Sequence, residues 1–121
     1  GSERLLGEMV RMGAPGCISA SLNSTAPLAA RALQAYRDGD DATANRLQEA
    51  LSAARRAMQT LPFVPSQKWL HYRRSGDAAW LHVLPPQLAA LADGQKQQLL
   101  ADLDACGFFS HVPEMRPAAA T

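Results

Sequence analysis

Apolar residues recur along this chain mainly with the three-and-four spacing of amphipathic helices. Leu5, Leu6, Met9 and Val10 place a short helix at Ser2–Met12, with Glu3, Glu8 and Arg11 on the opposite face. Gly13-Ala14-Pro15-Gly16 stops it. Cys17-Ile18-Ser19-Ala20-Ser21-Leu22 follows, uncharged and without helical period, and reads as a strand buried on both faces. Asn23, Ser24 and Thr25 offer caps and Pro27 suits a first turn, so a helix runs to about Arg37 with Leu28, Ala32, Leu33 and Tyr36 inward. Gly39 closes it. Asp40 or Asp41 caps the longest helix, to about Thr60, whose stripe is Ala44, Leu47, Leu51, Ala54, Met58 and Leu61. Pro62 and Pro65 break the chain, and a shorter helix from Ser66 to Arg74 ends at Gly76. Ala78–Leu84 fits a short helix or an extended piece, and Pro85-Pro86 is extended. Asp93 caps a last helix through Cys106 that buries Leu99, Leu100 and Leu103, with Gly107 after it and Phe108-Phe109 folding back. The Ala/Pro-rich tail from Pro113 is frayed.

One strand cannot make a sheet, because its backbone donors and acceptors need neighbours. The first part of the chain therefore reads as helix, strand and helix from a larger run of alternating strands and helices. The composition agrees with a mostly α chain: 47% of its 121 residues are apolar and only 6% aromatic, and the net charge is +1. Arginines lie among acids, which gives no track for a phosphate backbone, so nucleic acid is not an expected partner. Cys17 and Cys106 are far apart and suggest neither a disulfide framework nor a zinc cluster; a reducing, cytoplasmic setting follows. No apolar run reaches the roughly 20 residues that span a bilayer, and Glu3, Glu8 and Arg11 exclude a signal peptide. His71, His82 and His111 lack metal-ligand spacing. No Gly-x-Ser-x-Gly elbow or phosphate-cradling glycine loop is present. Arg55-Arg56 and Arg73-Arg74 read as pairs on solvated helix faces, and Trp69 and Trp80 as core or interface anchors.

Several short motifs occur in a recognisable order. Gly1-Ser2-Glu3 precedes the first helix, and Gly13-Ala14-Pro15-Gly16-Cys17-Ile18-Ser19 is followed closely by Asn23. The long helix begins Asp-x-x-x-Ala-x-x-Leu-Gln, Pro65-Ser66-Gln67-Lys68 comes next, and Leu103-Asp104-Ala105-Cys106-Gly107-Phe108 closes the chain. This series resembles the C-terminal third of the pyruvate-dependent lyases of the dihydrodipicolinate synthase and N-acetylneuraminate lyase family.

The resemblance implies a (β/α)8 TIM barrel with a C-terminal helical extension, usually in a homotetramer. Residues 1–39 would end the barrel, 40–112 form the extension, and 113–121 be a disordered tail. It implies aldolase chemistry: a lysine amine forms a Schiff base with pyruvate or another 2-keto acid, and a tyrosine shuttles protons. Both groups would lie upstream of Gly1, so no catalytic residue is expected in this chain, and no cofactor or metal is required. Gly1 and Ser2, in the turn after strand seven, and the carbonyl of Ile18, on strand eight, would bind substrate. Gly1-Ser2 is also a pair that a cloning junction leaves, although Glu3 continues the family pattern. Asn23 reads as a turn residue. Lys68 and Lys96 lack the buried or cationic context of a Schiff-base lysine and read as structural. Two alternatives remain: a free-standing helical interaction module, and a catalytically dead paralogue that regulates a full-length subunit.

Overall fold

A computed structural model describes residues 1–86 and 89–117. Among these residues six α-helices carry the fold: α1 (Leu6–Arg11), α2 (Leu22–Arg37), α3 (Asp41–Gln59), α4 (Phe63–Ser75), α5 (Asp93–Ala105) and α6 (Phe108–His111). Short 3-10 turns form at Glu3–Leu5, Ala78–Leu81 and Pro113–Met115. No strand forms among the described residues. The expected strand at Cys17–Leu22 is thus corrected: residues 14–19 join no ladder, Ala20 and Ser21 form a turn, and Leu22 already begins α2. The reason is the one stated above, since a strand without neighbours cannot satisfy its backbone. With no partners to pack on, the Ile18 side chain points to solvent, 89% exposed.

α2 and α3 form the central antiparallel pair. Asp40 caps α3 by accepting from the Thr43 N–H at 3.2 Å. The α3 stripe then buries Ala44, Leu47, Leu51, Ala54 and Met58 as its spacing predicts, joined by Ala57, with Leu61 half-buried. Leu28, Ala29 and Ala32 of α2 meet this stripe, and Leu70 of α4, Leu99 and Leu103 of α5, and Phe108 of α6 close the same core. Gly39, Gly76 and Gly107 hold positive φ at helix ends, a region that favours glycine.

Four details depart from the periodicity. α2 starts at Leu22, so Pro27 lies in its second turn rather than its first. Pro65 sits inside the first turn of α4, where its missing N–H costs nothing, so it does not break the chain. Ala92, not Asp93, is the N-cap of α5, and its N–H donates to Gln95 Oε1 at 2.9 Å. The tail is anchored as far as the Pro113–Met115 turn, because Met115 is buried in the core; residues 118–121 lie outside the described part. The Pro85-Pro86 peptide bond is cis.

Candidate functional site

The first residues do not follow a single helical phase. A 3-10 turn at Glu3–Leu5 precedes α1, and its three-residue period rotates the later side chains. Leu6 and Gly7 turn inward, whereas Leu5 and Met9 are exposed. Glu3 turns inward as well. Sequence periodicity placed it on the polar face, yet its exposure is 0%.

A carboxylate that deep must be paired and hydrogen-bonded. The Ser19 and Ser21 hydroxyls both donate to Glu3, one to each carboxylate oxygen. Thr25 Oγ1 donates to Oε1 at 3.3 Å. Arg55 of α3 approaches Oε2 at 3.6 Å, and its Nη1 also donates to Ser21 Oγ at 2.6 Å and to Ser19 Oγ at 3.3 Å. The Arg55 guanidinium lies over the Phe63 ring, 4.6 Å from its centroid. Arg55 is therefore not on a solvated face, although its neighbour Arg56 is exposed. Gln48, two helical turns before it, also holds this backbone. Its Nε2 donates to the Glu3 carbonyl at 3.0 Å and its Oε1 accepts from the Gly7 N–H at 2.9 Å.

This network brings together the residues assigned to substrate. Gly1 stands beside Ile18, with Glu3 tying both segments down. The approach is so close that a Cβ on Gly1 would lie 2.8 Å from the Ile18 carbonyl oxygen. Ser2 Oγ accepts from the Arg4 N–H at 3.4 Å and caps the turn. Asn23 Nδ2 donates to the Ala20 carbonyl at 2.8 Å, the turn-holding role its position suggests. Sequence reasoning missed the polar network itself. The legible signal was Gln48, Ser52 and Arg55, polar residues at helical spacing along one border of the apolar stripe.

Beyond Asn23, α4 faces α2 across a small cleft. His71 is buried and stacks on Trp80 with centroids 4.7 Å apart. Pro27 has no N–H for the Asn23 carbonyl, which faces the imidazole instead without completing a hydrogen bond. Burial first, then the Arg74 charge, holds His71 below its ordinary pKa against the opposing pull of that carbonyl. The lysines engage locally: Lys68 Nζ donates to the His82 carbonyl at 2.5 Å, and Lys96 Nζ to Asp93 at 3.1 Å. Trp69 packs against the core under the Arg73 guanidinium, 5.1 Å from its ring centroid. Among the described residues no group of His, Cys, Asp and Glu could hold a metal ion. No described helix is long and apolar enough to cross a membrane.

Residues 1–106 match the dihydrodipicolinate synthetase family. The chain belongs to this family. The match takes in the Glu3 network, the α2–α3 pair and the helices up to the end of α5. It makes the mostly helical chain part of a lyase and aldolase-like family. No curated protein and no solved structure matches the chain.

Proposed function

We propose that this chain is the C-terminal part of a lyase that forms a Schiff base with pyruvate or a related 2-keto acid. One observation carries the reading: the close approach of Gly1 to the Ile18 carbonyl, which joins two segments separated by a helix and a turn. A backbone without a side chain admits a ligand carboxylate, and the adjacent carbonyl offers an acceptor to the protonated imine. In this reading residues 1–39 complete the barrel. Residues 40–112 form the extension, whose outer faces supply subunit contacts in a homotetramer, and 113–121 are the tail. The setting is cytoplasmic.

The chemistry runs through a lysine supplied by the barrel upstream. Its amine adds to the ketone carbon, water leaves, and the protonated imine results. Breaking a bond at the neighbouring carbon then sends its electron pair into the imine, which becomes an enamine. Reprotonation and hydrolysis return the keto acid and the amine. Lys68 and Lys96 are committed to local partners, in keeping with a nucleophile elsewhere.

Intact-mass spectrometry after borohydride reduction with pyruvate tests this. An adduct is expected on the longest product of the gene and not on these 121 residues. An adduct on this chain would force Lys68 or Lys96 into the site. No adduct on either would sink the aldolase reading and leave the interaction module or the inactive paralogue.

A further inference from the structure

We propose that Glu3 and Arg55 are a positioning pair through which the helical extension sets the distance between the Gly1–Ser2 turn and the Ile18 carbonyl; this rests on the keto-acid reading of that site. Glu3 lies two residues from Gly1, and the hydroxyls it binds belong to Ser19, next to Ile18, and to Ser21. One buried carboxylate thus joins both halves of the site. At 0% exposure, and occupied by Ser19, Ser21, Thr25 and Arg55, it has no free oxygen for a substrate. It holds the site rather than touching the reactants.

Arg55 gives the arrangement its direction. Nothing in the Gly1–Thr25 segment neutralises Glu3; the counter-charge comes from α3, beyond the α2–α3 turn. Arg55 is itself braced by the Phe63 ring at the start of α4 and donates to both serines. Gln48 repeats the link one edge over, through the Glu3 carbonyl and the Gly7 N–H. A pair needed only to fill the core would have no reason to converge on the residues flanking Ile18, and an apolar pair would serve as well there.

Two readouts separate this proposal from the chemistry it rests on. The first is amide hydrogen exchange of this chain with Glu3→Gln, Arg55→Met, the double variant and Arg55→Lys. Glu3→Gln keeps the shape but turns one acceptor into a donor. Faster exchange is expected at residues 1–7 and 17–22, with the α3 and α5 cores still protected. The double variant should exchange no faster than either single one, because both remove the same link. Arg55→Lys keeps the charge and should recover most protection. Unchanged local exchange, or additive effects, would overturn the pair whatever the enzyme does.

The second readout is the rate of borohydride-trapped pyruvate adduct at saturating pyruvate in the full gene product. Glu3→Gln and Arg55→Met should slow it by about tenfold or more, with Arg55→Lys largely restoring it. Local loosening with an undiminished adduct rate would overturn the positioning role. An absence of adduct in the wild type would instead reject the Schiff-base chemistry itself, and the positioning claim with it, while the exchange data would still report on the structural link.

Discussion

At the scale of single residues, the burial pattern ranks what each side chain contributes. Leu51 is fully buried at the centre of the α3 stripe, in the core that α2, α4 and α5 share. Leu51→Ala should therefore cost about 2–5 kcal/mol, the lost transfer energy plus a cavity, read from the urea midpoint at unchanged slope. Gly1 matters for the opposite reason. A methyl group there has backbone 2.8 Å away, which cannot rotate aside as a side chain could. Gly1→Ala in the gene product should slow adduct formation by roughly tenfold while leaving the helix content by circular dichroism unchanged. His71 sets a pH dependence. Its folded pKa lies below the ordinary 6.5, so its stabilising contribution is complete above that value. As pH falls below 6.5 the unfolded chain takes up the proton first, and stability drops until the folded ring also titrates. His111 is shifted the same way by burial, then by Arg31 and Arg46. The melting temperature should fall between about pH 7.5 and about pH 5, and His71→Phe should flatten that fall without abolishing it.

At the scale of elements, small residues let α2 and α3 approach closely. Ala32, Ala44 and Ala54 are all fully buried. Ala54→Leu should destabilise by about 1–3 kcal/mol through overpacking, whereas Ala53→Leu, one position round the helix and half-buried, should be nearly neutral in the same denaturation experiment. Helix phase was well specified by sequence wherever the apolar stripe was long. α3 is nineteen residues, enough for one stripe to dominate, and its capping Asp40 and closing region were readable. α1 is six residues and opens on a 3-10 turn, and its phase buries Glu3 and Leu6 together while leaving Leu5 exposed.

At the scale of the whole molecule, the helical core is complete but its N-terminal edge is not. Residues 14–19 carry unladdered backbone, and Met12 and Ile18 beside them are 83% and 89% exposed. Such an edge is a template for pairing with another chain. The isolated chain should self-associate with rising concentration in sedimentation, and Ile18→Lys should weaken that association without shifting the melt. A monomer at every concentration would indicate that the segment needs no cover.

By itself the sequence determined the helices of the core, the α3 stripe, the stop at Gly76, a cap at Asp40 or Asp41, and the family signature, because each depends on local periodicity or turn chemistry. It also marked Gly1, Ser2 and Ile18, through motif order alone. Only the tertiary structure decided that Glu3 is buried, that Arg55 leaves the solvated face to meet it, and that Ser19 and Ser21 complete the link. Those outcomes depend on which polar groups find partners between Glu3 and Arg55, far apart in the chain, and no local pattern encodes that meeting. The strand lies between the two cases: its residues prefer extension, and whether extension becomes a strand depends on neighbours outside its own sequence.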